Sequence, residues 1–190
     1  LGHVSSCKSP QGMSGAIIKN YYAQKLGIER EKIKVVSIMP CIAKKYEASR
    51  PEMEVDGVRD IDLVLTTREL ARFIKRHVID FDMLTNKQLT SPLASYTGAG
   101  VIFGVTGGVM EAALRTVKAL LEKEDAYLID IREVRGFESI KEATLTIDGK
   151  ELNFAVVHGA KHFKEVLELV KSGKKQYAFI EFMGCHGGCI

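Results

Sequence analysis

Four cysteines carry the clearest chemical signal in this sequence of 190 residues. They are Cys7, Cys41, Cys185 and Cys189, and three residues separate the last two within a glycine-rich segment. Two cysteines at this spacing among glycines are unusual for core packing, and a chain that can build a full core does not need disulfides. The residue types and spacing leave two explanations open, namely metal or cluster ligation and purely structural thiols.

The spacing of the thiols favours an iron–sulfur cluster over a zinc site. A Cys-x3-Cys pair around a histidine differs from the zinc-ribbon spacing. Thiolates from scattered loops are typical of a [4Fe–4S] cluster, which is held by four cysteines. Gly184, Gly187 and Gly188 allow the backbone to wrap closely and to offer N–H donors to sulfides. A nucleophilic pair of a cysteine with His186 is disfavoured, because adjacent residues on a tight loop seldom face each other.

The hydrophobic pattern places these cysteines at the ends of strands. The β-branched run from Val35 to Ile38 predicts a buried strand that ends at Pro40, just before Cys41. Residues 177–183 predict a last strand that runs into the Cys-x3-Cys segment. Ligands of open α/β sheets bind outside the carboxyl ends of strands, so we expect the thiols at these two strand ends to share a site.

Strands alternate with helices along the chain, which predicts an α/β fold with two lobes, residues 1–122 and 123–190. Each lobe is expected to hold mainly parallel sheet flanked by helices, with one antiparallel hairpin at Asp148-Gly149. Ser9-Pro10 predicts a helix start, Gly27 a helix end, and Thr66 with Glu69 a capping box. The other predicted elements are strands at 61–65, 127–134, 143–147 and 152–157, helices at 110–121 and 161–170, and a loop at 80–100.

The composition is that of a soluble globular protein, with 46% hydrophobic and 27% charged residues. The net charge of +3 is small, and residues of both charge signs are interspersed along the chain. This pattern argues against a surface that binds nucleic acid or a membrane. The sequence has no apolar run of the roughly 18 residues that a membrane span needs. The start, Leu-Gly-His-Val, lacks the basic segment of a signal peptide, and we expect the chain to be part of a longer protein.

Several segments match one known family in order and spacing. Met39-Pro40-Cys41-Ile-Ala-Lys44-Lys45-Tyr-Glu47 is similar to the second signature, and residues 181–189 to the third signature, of the large catalytic subunit of [FeFe]-hydrogenases. Residues 5–11, 60–70 and 106–115 also resemble family segments. The first signature, Thr-Ser-Cys-Cys-Pro, and the Asn-Gly-Gly-Gly-Gln-Pro continuation of the third are absent. The resemblance therefore implies a fragment of the H-cluster domain.

The resemblance implies a cluster site between the two lobes. Its H-cluster is a [4Fe–4S] cubane joined through one cysteine to a two-iron subsite with CO, cyanide and a bridging dithiolate. Cys41, Cys185 and Cys189 would ligate the cubane, and Cys189 would bridge to the subsite. Lys44 would pair with a cyanide. The remaining implied residues are Pro10, Gln11, Met39, Phe103 and Met183 along the subsite, and Ser5 in the proton path.

Three further features receive no cofactor role. Cys7 lies where the family carries a small residue, and we interpret it as a semi-buried thiol near the cluster rather than a ligand. Thr106-Gly107-Gly108 at a helix start could form a phosphate cradle, but it lacks the lysine and spacing of a P-loop, so tight packing is favoured. The remaining histidines show no ligand spacing; they are His3, His77, His158 and His162.

The function implied is the reversible reduction of protons to hydrogen, with the 190 residues inactive on their own because one cubane thiolate is missing. Two alternatives stay open: a non-catalytic relative in cytosolic iron–sulfur assembly, and a sensory hydrogenase. Lys44 and the loop interior His186-Gly187-Gly188 favour the enzyme. The implied partners are ferredoxin or NAD-linked electron-transfer subunits and maturation proteins. Reduced thiols and an oxygen-labile cofactor imply an anaerobic cytoplasm, with the periplasm as the alternative.

Overall fold

The computed structural model describes residues 2–88, 98–123, 131–136 and 138–189. The chain divides into two compact units, Leu1–Ala94 and Ser95–Ile190. The division therefore falls earlier than the boundary after residue 122 that the sequence predicts. The reason is that the helix Gly108–Glu122 buries Met110 and Leu114 in the same core as Ala143 and Phe154 of the second unit.

The first unit begins with a continuous helical segment, residues 10–26, whose start and end are set by local interactions. Helix α1 spans Pro10–Ile17; the Ser9 hydroxyl caps it by accepting from the Gly12 N–H at 3.3 Å. A π-helical stretch, Ile18–Tyr22, leads into α2, Ala23–Leu26. The segment ends at Gly27, whose left-handed φ of 65° suits glycine. These observations confirm the predicted start and end, while the π-helical stretch was not predicted.

A parallel pair of strands, β1 (Val36–Met39) and β4 (Leu63–Thr66), organises the first unit. Between them lie α3 (Ala43–Ala48) and a short hairpin of β2 (Glu54–Val55) and β3 (Val58–Arg59), which the sequence did not predict. The core contains Ala48, Ile61 and Val64, with Val35 and Met39 packed against it. Val36 is 51% and Ile38 48% exposed and the other face of β1 is half-buried, whereas the sequence predicts a fully buried strand.

The capping box of α4 (Thr67–Arg76) links this helix to α3. Thr66 accepts from the Glu69 N–H, and Glu69 accepts from the Thr66 N–H at 2.8 Å, as the sequence predicts. Lys45 of α3 donates to Glu69 at 2.6 Å. The Lys45 hydrogen bond and the Thr66 donors lower the pKa of Glu69 to about 2. The stabilising contribution of this carboxylate is complete above its ordinary pKa and is lost as the pH falls toward 2.

The second unit is built around a three-stranded sheet. Strands β5 (Ile140–Ile147) and β6 (Lys150–His158) form the antiparallel hairpin predicted at Asp148-Gly149, where both residues have positive φ. Helix α7 (Phe163–Lys171) connects β6 to β7 (Phe179–Met183), which pairs with β6 in parallel. Helices α5 (Gly98–Ile102) and α6 (Gly108–Glu122) precede the sheet.

The structure confirms the α/β class with parallel and antiparallel pairs, and it corrects two local predictions. Residues 131–136 are irregular rather than strand, although Ile131 and Val134 are buried in the core, and the rest of the predicted strand 127–134 lies outside the described residues. The predicted loop 80–100 contains a short 3-10 turn, Phe81–Met83, and its last residues belong to α5; residues 89–97 lie outside the described residues. None of the helices in the described part has the length and apolar character to span a bilayer.

Candidate metal centre

The cysteine loop, residues 184–189, follows β7 directly. Its start is held to the residues after β6: Gly159 donates to the Met183 carbonyl at 2.9 Å, and Ala160 to the Gly184 carbonyl at 3.2 Å. The loop turns back on itself where the Gly188 N–H donates to the Cys185 carbonyl. Both cysteine side chains of the loop are exposed. The thiols are thus presented at the carboxyl end of a strand, as the sequence predicts.

A strap, residues 103–107, lies against the cysteine loop. The Cys189 N–H donates to the Gly104 carbonyl at 2.6 Å, and the Thr106 N–H donates to the Gly187 carbonyl at 3.1 Å. An antiparallel bridge joins Val105 to Gly188. A Cβ on Gly188 would lie 2.4 Å from the Gly104 carbonyl oxygen, and its φ is 106°, so this close approach requires glycine.

The strap and the start of α6 are held by a buried carboxylate. Glu181 of β7 is 5% exposed and accepts from the Gly107 N–H at 2.6 Å and from the Met110 N–H at 2.7 Å. A negative charge at a helix N-terminus is favoured by the helix dipole and by the unsatisfied N–H groups there. The candidate phosphate cradle is therefore filled by the protein's own carboxylate, and the tight packing favoured from the sequence is observed.

The cationic partner beside this carboxylate is Lys141 of β5. Its buried ammonium donates to the Gly136 carbonyl at 2.8 Å. Desolvation lowers the pKa of Lys141, and the charge of Glu181 acts in the opposite direction. The two opposite charges thus limit each other's desolvation cost in the interior of the second unit.

A buried histidine supports the cysteine loop from the protein side. His158, the last residue of β6, is 0% exposed, and its Nδ1 accepts from the Gly187 N–H at 3.0 Å. Its ring also contacts the His186 ring edge-on, with the ring centroids 4.6 Å apart. The sequence predicts no role for His158, because the spacing of His158 from other residues contains no signal that could have revealed this contact.

The first unit presents Cys41 between β1 and α3, where it is half-buried. Gln11 of α1, 7% exposed, connects the surrounding elements. It accepts from the Ser37 hydroxyl of β1 at 2.7 Å and donates to the Lys44 carbonyl of α3 at 3.3 Å. These contacts place Gln11, Met39 at the end of β1, Cys41 and Lys44 on adjoining segments of one unit.

Lys44 is half-buried, and its ammonium pairs with Glu47 one turn later on α3. The second oxygen of Glu47 accepts from the Ser9 hydroxyl. Ser9 thus connects the first turn of α1, where Pro10 is exposed, with the ion pair of α3. The Lys44 ammonium is therefore held at the start of α3 by contacts that reach back to Ser9.

The segment before α1 is exposed in the structure. The Ser5 hydroxyl accepts from the Cys7 N–H at 3.2 Å, and both residues are exposed. Cys7 was predicted to be semi-buried, and this prediction is wrong. The physical reason is that residues 2–7 precede α1 without joining a helix or strand that could cover the thiol.

The predicted site residues fall into two sets, one in each unit: Ser5, Pro10, Gln11, Met39, Cys41 and Lys44 in the first, and Phe103, Met183, Cys185 and Cys189 in the second. No disulfide joins any of the four cysteines, all of which lie in the described part of the chain. Within the described ranges, no three or more His, Cys, Asp or Glu side chains are gathered in a geometry that could hold a metal ion.

The donor chemistry of the second unit nevertheless fits an iron–sulfur cluster. Cys185 and Cys189 offer soft thiolates, which suit iron–sulfur ligation. A Cβ built on Gly184 or Gly187 would meet no atom within 4 Å, so the loop leaves space beside these glycines. Fold and site together define the class, an α/β protein that presents cysteines at the ends of its strands.

The family model of the iron-only hydrogenase large subunit, C-terminal domain, matches residues 1–190. The chain belongs to this family. It is 52% identical over 192 residues to the periplasmic [Fe] hydrogenase large subunit of Nitratidesulfovibrio vulgaris, covering 100% of this chain and 45% of that protein. It is 50% identical over 186 residues to the NADP-reducing hydrogenase subunit HndD of Solidesulfovibrio fructosivorans, covering 98% of this chain and 32% of that protein.

A solved [FeFe]-hydrogenase of Chlamydomonas reinhardtii has the same fold, with a TM-score of 0.78 and 35% sequence identity over 98% of this chain and 55% of that one. Relatives in cytosolic iron–sulfur cluster assembly are more distant: a probable cytosolic Fe-S cluster assembly factor of Nematostella vectensis is 32% identical over 99% of this chain and 44% of that protein. The chain thus spans about half or less of the length of the relatives that it matches.

Proposed function

We propose that this chain is the part of an [FeFe]-hydrogenase that holds the H-cluster and supports the reversible reduction of protons to hydrogen. The observation that carries the proposal is the Cys-x3-Cys loop at the end of β7, whose backbone is hydrogen-bonded to the strap and to His158 at the end of β6. Membership of the iron-only hydrogenase family supports it. When bound, the H-cluster supplies the site at which protons and electrons combine.

In this proposal, the protein contributes cysteine thiolates that ligate the cluster and side chains that line the two-iron subsite. Cys41, Cys185 and Cys189 would hold the cubane, and Cys189 is the one that would also serve the two-iron subsite. Hydrogen bonds from the strap keep the cysteine loop in one conformation. Glu181 in turn holds the strap, by accepting from backbone N–H groups at the start of α6. The residues proposed to line the subsite are Pro10, Gln11, Met39, Phe103 and Met183.

Lys44 and Ser5 have proposed polar roles. Lys44 would pair with a cyanide of the subsite, and Glu47 orients its ammonium. Ser5, whose hydroxyl is exposed, belongs to the proton path. We propose ferredoxin or NAD-linked subunits as electron partners and dedicated proteins for maturation. The compartment proposed is the cytoplasm, with the periplasm as the alternative, since relatives include a periplasmic enzyme.

The function is tested by maturation of the whole protein that carries this chain, under anaerobic conditions. We expect infrared bands of bound CO and cyanide together with hydrogen evolution from reduced viologen. The 190 residues alone are expected to show no turnover, because three thiolates leave one iron of the cubane without a protein ligand. A whole protein that acquires a cubane but neither infrared bands nor turnover would contradict the enzymatic proposal.

Lys44 is expected to matter for the two-iron subsite and not for the cubane. In the Lys44→Ala variant, an anionic ligand loses a charge-assisted contact worth about 1.5–3 kcal/mol. We expect cubane iron to stay unchanged while the infrared bands of CO and cyanide are lost. The matched control is Lys45→Ala, which removes the neighbouring lysine that pairs with Glu69. Normal bands and activity in Lys44→Ala would show that this lysine serves only its ion pair with Glu47.

A further inference from the structure

We propose that His158 is a positioning residue for the cluster: by accepting the Gly187 N–H, it keeps that donor away from the cluster and sets the turn of the cysteine loop. The proposal rests on the proposed function, since it takes the loop to be a cubane-ligating loop. His158 is not itself a ligand in this proposal. It acts through the backbone of the loop.

The placement of His158 follows from the sheet. His158 ends β6 opposite Met183, the last residue of β7, and the cysteine loop starts one residue later. The His158 N–H donates to the Ser139 carbonyl at 3.0 Å, which holds its backbone independently of the loop. A fully buried ring on a paired strand end is a rigid support, because neither the backbone nor the side chain can move without disturbing the core.

The hydrogen bond defines the state of the imidazole. Nδ1 accepts from an amide N–H, so it carries no proton, and the neutral ring has its proton on Nε2. Gly187 has a φ of 79°, a conformation that glycine adopts readily. His158 therefore selects the loop conformation in which the Gly187 N–H points into the protein.

Three successive amides of the loop are committed to protein acceptors. Gly187 donates to His158, Gly188 to the Cys185 carbonyl, and Cys189 to the Gly104 carbonyl. Hydrogen bonds from N–H groups to cluster and cysteine sulfurs stabilise the more negative reduced state and so raise the reduction potential. His158 keeps the Gly187 N–H from donating to the sulfurs. The reduction potential of the cubane is therefore lower than it would be if this N–H faced the cluster.

Three substitutions separate the hydrogen bond from packing. His158→Asn places a side-chain oxygen at the position of Nδ1, whereas His158→Gln, with the same chemistry, places it near the position of Nε2. His158→Phe keeps an aromatic ring of similar size and removes the acceptor. The proposal predicts that Asn resembles the wild type and that Gln and Phe do not. A packing role predicts that Phe is the best tolerated of the three.

The experiment uses the whole protein that carries this chain, first without metal and then reconstituted anaerobically with iron and sulfide. In the metal-free protein, we expect faster hydrogen exchange of the Gly187 amide in the Phe and Gln variants than in wild type and Asn. In the reconstituted protein, we expect a more positive cubane potential by paramagnetic-resonance titration in those two variants. We also expect about 10-fold faster iron loss to a chelator, the lower end of effects seen for second-layer partners.

Two further variants distinguish a failure of the proposed function from a failure of the proposed role of His158. His186→Ala removes the ring contact but leaves the Nδ1 acceptor, and it should keep the wild-type potential. Cys185→Ser tests the ligand assignment itself. If Cys185→Ser retains the cubane, the proposed function fails. If Cys185→Ser loses it while the Gln and Phe variants keep the wild-type potential and iron-loss rate, only the role of His158 is overturned. Equal behaviour of the His158→Asn and His158→Gln variants would overturn the proposed role of His158, even if the His158→Phe variant does not fold.

Discussion

Serine in place of Cys185 is expected to abolish cubane binding. A serine hydroxyl is a harder donor that stays protonated near neutral pH, so it replaces an iron-binding thiolate poorly. We expect the iron content after anaerobic reconstitution to fall about 10-fold or more, within the range known for lost metal-site interactions. The reduced-cluster paramagnetic signal should disappear with it. Cys41→Ser and Cys189→Ser are expected to behave in the same way.

Cys7→Ser is the matched control for this experiment. Cys7 is exposed and lies before the first helix, so its replacement changes the same atoms without touching either strand-end segment. We expect unchanged iron content and an unchanged signal. Full iron in the Cys185→Ser protein would contradict the assignment, and loss of iron in Cys7→Ser would show that this thiol is a ligand after all.

The second large effect is expected at Glu181, on stability rather than on iron. Glu181→Gln keeps the size of the side chain but presents an N–H₂ group to one of the two amides that the carboxylate now satisfies. Hydrogen bonds to charged groups contribute about 1.5–3 kcal/mol each, so we expect the free energy of unfolding in urea to fall by about 3 kcal/mol. Faster hydrogen exchange across the strap should accompany this loss.

An exposed glutamate provides the comparison for Glu181. Glu165 of α7 is 62% exposed and faces only a distant histidine nitrogen at 3.9 Å. Its replacement by glutamine should change the unfolding free energy by less than about 0.5 kcal/mol, as is usual for surface substitutions. A loss of under about 1 kcal/mol for Glu181→Gln would show that the helix start does not depend on the carboxylate charge.

The local elements and the cysteine-bearing segments could be predicted because their causes lie within a few residues of sequence. Ser9-Pro10 starts α1, Thr66 and Glu69 form their capping box across three residues, and Asp148-Gly149 closes the hairpin. In each case a side chain satisfies a nearby backbone group, or a turn residue supplies the required φ. The cysteine pattern is equally local, so it pointed to cluster chemistry and to the family without a structure.

The long-range contacts that hold the candidate site in place could not be predicted from the sequence, because they form only in the tertiary structure. Glu181 and Gly107 are 74 residues apart in sequence, and His158 and Gly187 are 29 apart, yet each pair is hydrogen-bonded. No periodicity or spacing encodes such pairs. The parallel pairing of β6 and β7 brings His158 to the cysteine loop, and the packing of the strap against that loop brings Gly107 to Glu181. The unit boundary and the exposure of Cys7 depend likewise on which elements pack against each other. Sequence alone therefore determined which residues could do the chemistry, and long-range packing determined what holds them.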